Sequence, residues 1–207
     1  MRKTLWLLLA FLTASSAFAR GATPKELLIS LKFKPQEGVA SSSANLPPAM
    51  LDKSVDIRVK DGRRETDAKV IGQGTGGDDR TFPIRVGDNI EPFIKETLTD
   101  VAKKWGLKTS VGGDRILDIT ISRFYIDESN KALGSVYSSE VNLAWTLKNR
   151  GGKTLAQGAG SGSTHRYGRA HSEDNINEVL SDALKEAFAN VLNDSKLQSA
   201  WGSGKKR

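Results

Sequence analysis

Leu27, Ile29, Leu31 and Phe33 alternate with polar neighbours over residues 25–33, the period-two pattern of a strand with one buried face. The period then stops. Residues 34–53 carry Ser41-Ser42-Ser43 and Pro47-Pro48 and predict a loop lying over the surface. Val55, Ile57 and Val59 alternate with Asp56, Arg58 and Lys60 and give a second strand with one wet face. Asp61-Gly62 turns the chain, and a weaker strand follows through Lys69, Val70 and Ile71.

At Ile90 the period changes from two to 3.6. Ile90, Phe93, Ile94, Leu98, Val101, Ala102 and Trp105 share one stripe of a helix. Asp88 with Glu91 fits a capping box, and Gly106 is placed to end the helix. Pro92 costs little in the first turn, where amides have no intrahelical acceptor. Three strands follow as a meander. The first covers about 115–126, with Leu117, Ile119 and Ile121 on one face, and turns at Asp127-Glu128-Ser129-Asn130. The second runs near 135–148 with Val141, Leu143, Trp145 and Leu147 aligned. Asn149-Arg150-Gly151-Gly152 turns into a third, from Lys153 to about His165. A closing helix over 173–194 has Ile176, Val179, Leu180, Ala183, Leu184, Ala187, Phe188, Val191 and Leu192 on its stripe, with Ser172 as N-cap.

This order predicts an α+β fold: a mainly antiparallel sheet of five to six strands, with two amphipathic helices packed on one face. The other face stays polar, carrying Asp56, Arg58, Lys60, Asp118, Thr120, Ser122, Glu140, Asn142 and Thr146. One domain is expected over residues 20–197, and a flexible basic tail over 198–207.

Composition narrows the class. With 38% hydrophobic and 27% charged residues in 207, the chain is neither disordered nor collagen-like. It has no cysteine, which excludes a thiolate zinc site, a thiol nucleophile and a redox pair. Residues 1–19 read as a cleavable secretory signal. Arg2 and Lys3 precede the apolar run from Leu5 to Leu12, and Ala17-Phe18-Ala19 supplies the cleavage pattern. That run is too short to span a bilayer, so the mature chain is expected in the periplasm or outside the cell. The formal net charge is +7, but Lys205, Lys206 and Arg207 gather three cations at the very end. A nucleic-acid site needs its basic residues on one folded face, so no nucleic-acid partner is expected. Anionic lipid or acidic glycan is the partner class such a tail suits.

No catalytic signature stands out, and neither cofactor nor metal is expected. Gly72-Gln73-Gly74-Thr75-Gly76-Gly77 has the spacing of a dinucleotide fingerprint, yet Asp78, Asp79 and Pro83 follow it where a helix should open. His165 and His171 are the only histidines, and with Arg166, Tyr167, Arg169, Glu173 and Asp174 they form the most chemically varied stretch. A hydrolase would have to use this stretch, although the strand-elbow-helix pattern around Ser161 and Ser163 is missing. Gly158, Gly160 and Gly162 strip one face of the last strand of side chains. Either a helix approaches closely there, or the strand offers an edge to a partner strand. Trp105, Trp145 and Trp201 read as core or helix-packing residues, with exposure the alternative for Trp201 because it follows the last helix.

The run Val55-Asp56-Ile57-Arg58-Val59-Lys60-Asp61-Gly62-Arg63 resembles the strand that opens the YajG-like family of bacterial envelope lipoproteins. The helix ending Lys104-Trp105-Gly106-Leu107, the Leu117-Asp118-Ile119 strand, the Asn149-Arg150-Gly151-Gly152 turn and the end at Leu192-Asn193-Asp194 continue the likeness. It covers roughly residues 25–197. The resemblance implies an α+β envelope protein without established enzymatic activity and carries over no site residues. Family members are lipidated on a cysteine, which this sequence lacks. The function expected is therefore a non-enzymatic periplasmic accessory protein that binds another envelope protein, with a glycan- or lipid-binding module as the alternative.

Overall fold

The computed structural model describes residues 25–36 and 43–203. The secretory signal and residues 204–207 of the basic tail lie outside these. The elements in chain order are β1 (Leu27–Ile29), α1 (Pro48–Leu51), β2 (Ser54–Asp61), β3 (Val70–Thr75), β4 (Thr81–Val86) and α2 (Ile90–Lys104). They continue with β5 (Lys108–Thr109), β6 (Arg115–Lys131), β7 (Gly134–Asn149), β8 (Thr154–Gly168), α3 (Glu173–Leu192) and α4 (Ser195–Gly202). No helix among the described residues is long and apolar enough to cross a membrane.

All eight strands join one sheet, larger than the five to six expected, and it is mixed. The β6–β7–β8 meander is antiparallel, whereas β2 and β3 both pair parallel to β6 and β1 pairs parallel to β4. Two strands that the pattern did not show, β4 and β5, account for the difference. Pro83 sits inside β4 opposite Gln73, and proline demotes a strand in any sequence reading. β5 is two residues long and β1 three. The spine is β6, which serves β2 and then β3 along one margin and β7 along the other.

β6 also outruns its expected turn. Asp127, Glu128, Ser129 and Asn130 are strand residues paired with β7, and the chain reverses after Lys131. A bulge explains the change of pattern. The register slips between Ile121 and Arg123, and one extra residue exchanges the two faces of a strand. Leu117, Ile119 and Ile121 are buried before it, and Phe124, Ile126 and Glu128 after it. Arg123, Tyr125 and Asp127 therefore stay on the solvent side.

Between β2 and β3 the chain leaves β6 and is drawn together by Arg63, whose side chain is only 3% exposed. Its guanidinium forks onto Asp61 (Nη2–Oδ2 2.9 Å) and donates to the carbonyls of Ala68 and Val70. Burial works against ionisation of Asp61, but the Arg63 hydrogen bonds outweigh it and hold the carboxyl below its ordinary range.

α2 and α3 close the core, Trp105 stacking on Phe188 with ring centroids 5.8 Å apart. Asn89 rather than Asp88 caps α2 by accepting from Glu91 N, while Asp88 accepts from Leu31 N. Ser172 caps α3 as expected. The expected flexible tail is helical from Ser195 to Gly202, and Trp201 is fully buried. Arg115 donates to the carbonyls of Trp201 and Ser203, and Lys53 Nζ to that of Trp201 at 3.0 Å. Both cations thus complement the negative end of α4.

Residues 30–36 run as a strap over the outer side of α3. Asn177 accepts from Lys32 N at 2.9 Å and donates to Ser30 O at 3.0 Å. Ser181 Oγ accepts from Lys34 N, and Asp182 from Gln36 N. Asn177 and Ser181 are accordingly buried polar residues, satisfied by backbone that has no strand partner. Asn177→Ala leaves an amide and a carbonyl unpaired and is expected to lower stability by about 1–3 kcal/mol in urea unfolding. A change within 0.5 kcal/mol, on the order of ordinary surface substitutions, contradicts the strap.

Candidate functional site

Among the described residues β8 is an outer margin of the sheet, for it pairs with β7 alone. The alternation along it is strict. Gly160 and Gly162 turn toward α3: a Cβ on Gly162 would lie 2.1 Å from Ala183 O, and one on Gly160 2.6 Å from Ala187 O. Gly158 faces the Trp145 ring in the same way. The three glycines are thus where a helix and an indole approach the strand, not a bare outer face. The opposite, solvent side carries Ser161, Ser163, His165 and Tyr167.

Two side chains of α3 reach around this margin. Glu186 Oε2 accepts from Ser163 N at 2.9 Å, and Asn190 Nδ2 donates to Ser161 O at 2.8 Å. The amides and carbonyls of Ser161 and Ser163 therefore point away from β7. By antiparallel alternation those of Ala159 and His165 do the same. Glu140, Asn142, Ser161, Gly162, Ser163, Glu186 and Asn190 line a 430 Å³ cleft at this edge.

A second, 590 Å³ depression adjoins it on the open sheet face, sharing Glu140 and adding Glu65, Gln73, Arg123, Tyr125, Asp127, Ser138 and Ser139. Arg123 lies 4.6 Å above the Tyr125 ring and pairs with Glu140. Burial, then the nearby Asp127 carboxylate, pushes the Tyr125 phenol up, with Arg123 opposing and Glu65 adding to the rise. Four carboxylates and one guanidinium make the joined surface acidic.

The histidine stretch does not converge. His165 sits on the open face opposite Ser138. Arg166 turns inward to Glu178 and Asp182, and burial lowers its pKa, with Asp182 opposing. Tyr167 is more than half exposed, and Arg169 contributes its carbonyl, which accepts from Tyr137 Oη at 2.6 Å. His171 adopts φ +55°, packs edge-on to Phe82 and directs its amide to Glu128 Oε1 at 2.7 Å. Among the described residues no group of three or more His, Asp or Glu is placed to hold a metal ion.

Glu128, assigned to a turn from sequence, is the buried centre of this junction. It also accepts from Ser135 Oγ at 2.8 Å and lies 3.1 Å from Tyr137 Oη, while His171 Nδ1 is 3.3 Å away. Burial pushes the Tyr137 phenol up to about 12, so the hydroxyl keeps its proton and donates. The cluster ties the β6–β7 hairpin to the start of α3. The glycine-rich run ends differently again: Gly72 and Gly74 lie in β3, and Gly76 N bonds Arg80 O across the turn into β4. No helix opens there, so the setting of a dinucleotide fingerprint is missing.

The comparisons bear on the whole of this architecture. The family model described as uncharacterized lipoprotein, the YajG-like family, matches residues 43–201. The chain belongs to this family. Among solved structures, protein XCC0632 from Xanthomonas campestris shares the fold, with 11% identity and a TM-score of 0.50 over 86% of this chain and 97% of that one. A minor lipoprotein from Acinetobacter baumannii aligns at 9% identity and TM-score 0.35, covering 72% of this chain and 90% of its own. The PelC dodecamer from Paraburkholderia phytofirmans aligns at 10% and 0.37, covering 73% and 91%. No curated protein sequence matches.

Proposed function

We propose that the protein is a non-enzymatic binding component of the cell envelope, acting in the periplasm and engaging another envelope protein through β8 and the open face beside it. The observation that carries this reading is the outer margin of β8, a 15-residue strand with one strand partner among the described residues. Unpaired strand edges are templates for another chain. Membership of a lipoprotein family supports the envelope location. The glycan reading loses one of its two grounds, because Trp201 is core.

A photoreactive amino acid placed at Ser161, with a control at Lys95 on α2, tests the reading in the native envelope. The expected result is one discrete crosslinked protein from position 161 and none from position 95. Equal labelling from both positions, or none from 161, defeats it.

A further inference from the structure

The margins of this sheet are guarded unequally. β1 and β5 are too short, at three and two residues, to template a partner. β8 is long, and residues 154–165 contain no Lys, Arg, Asp, Glu or Pro, the side chains that ordinarily blunt an edge. What covers it is the pair of contacts from Glu186 and Asn190, which occupy one amide and one carbonyl. Both can be exchanged for backbone partners without disturbing the β7–β8 ladder, because they lie on its far side.

The electrostatics say what kind of strand would replace them. The chain has a formal net charge of +7, yet the two clefts at this margin are lined by Glu65, Asp127, Glu140 and Glu186 against Arg123. When Ser163 N passes to a partner carbonyl, the Glu186 carboxylate is released beside the incoming chain on the helix side. Glu140 stands on the open-face side, where an incoming cation joins the Arg123 already paired with it. A strand alternates its side chains between those two sides, so cations at successive positions reach one carboxylate each. A second copy of this chain is a poor occupant: about a two-fold axis it would set one acidic margin against another.

We infer that β8 receives an extended, lysine- or arginine-bearing segment of a partner protein as a ninth strand, displacing the Glu186–Asn190 contacts and pairing its cations with Glu186 and Glu140. The inference rests on the edge-binding reading above and adds the chemistry of the partner.

Three synthetic octapeptides test it on the full chain: a Lys-Val peptide of repeat Lys-Lys-Val-Val, which sets cations on both sides of the strand, a Glu-Val peptide of repeat Glu-Glu-Val-Val, and the Lys-Val peptide with every backbone nitrogen methylated. Binding is read by fluorescence anisotropy, and amide exchange at Ala159, Ser161, Ser163 and His165 by NMR. The Lys-Val peptide is expected to bind roughly tenfold or more tighter than Glu-Val and to slow those four amides. Glu186→Gln should weaken it by about threefold, the size of one partly exposed ion pair. Ser163→Pro, which removes an outward amide and no ladder bond, should abolish it with circular dichroism unchanged. If Glu-Val slows the edge amides equally, the basic partner is overturned and the edge reading stands. Equal binding by the methylated peptide, or protection elsewhere than β8, overturns strand addition. If no peptide slows the edge amides and position 161 yields no crosslink, both readings fall.

Discussion

Glu128→Ala is expected to cost roughly 3–5 kcal/mol of folding stability, the range for removing one member of a buried polar cluster. The carboxylate is fully buried and accepts from the Ser135 hydroxyl and the His171 amide at 2.8 and 2.7 Å. Alanine leaves both donors unpaired at about 1–3 kcal/mol each and opens a void beside Tyr137. The effect should spread along named contacts. Tyr137 Oη accepts from Ser172 N, and Ser172 caps α3, so the first turn of that helix loses its support. For a chain of this size the melting temperature should fall by roughly 10 °C. Glu128→Gln keeps one acceptor oxygen and should recover part of the loss. A thermal melt of the alanine variant within 2 °C of the parent, on the order of a 1 kcal/mol change or less, contradicts the assignment.

Gly162→Val should cost a comparable amount, at about 3 kcal/mol or more, because its new Cβ meets backbone that cannot step aside. The neighbours are Ala183 O at 2.1 Å and Ala187 N at 2.6 Å. To admit the side chain, α3 must lift from β8, and the core residues between them, Leu143 and Phe188 included, lose their packing. Ala159→Ser, three residues away on the solvent side, is the control and should stay within about 0.5 kcal/mol. Denaturant unfolding monitored by tryptophan fluorescence distinguishes these outcomes. Similar midpoints for both variants refute the close approach of α3 at this glycine.

The alternations that betray one buried face were legible: β6 before its bulge, β7, and the stripes of α2 and α3 all read directly from sequence. So did the N-cap at Ser172 and the first of the two roles offered for the glycines of β8. What escaped depends on residues distant in sequence. The faces of β6 exchange at the Ile121–Arg123 slip, and only the observed pairing shows that Glu128 is inside rather than in a turn. Pro83 hid β4, because proline has no N–H to give a ladder, yet it stands within the strand opposite Gln73. Asn177 and Ser181 look like ordinary polar helix positions until residues 30–36 are laid over them. Glu186 and Asn190, four apart on α3, acquire meaning only from the edge they happen to reach. Trp201 looked optional after a helix that ended in Asn193-Asp194, yet Asp194 starts a new cap by accepting from Lys196 N and Leu197 N.

The strap joins residues near opposite ends of the chain: Lys32 bonds Asn177, 145 positions later. A ribosome or a translocation channel delivers the first of these long before the second. Until α3 emerges, the early segment has no helix to lie on, and the nascent polypeptide cannot complete its tertiary structure however slowly it is delivered. The order in which the two partners are synthesised thus sets the earliest moment at which the fold can close.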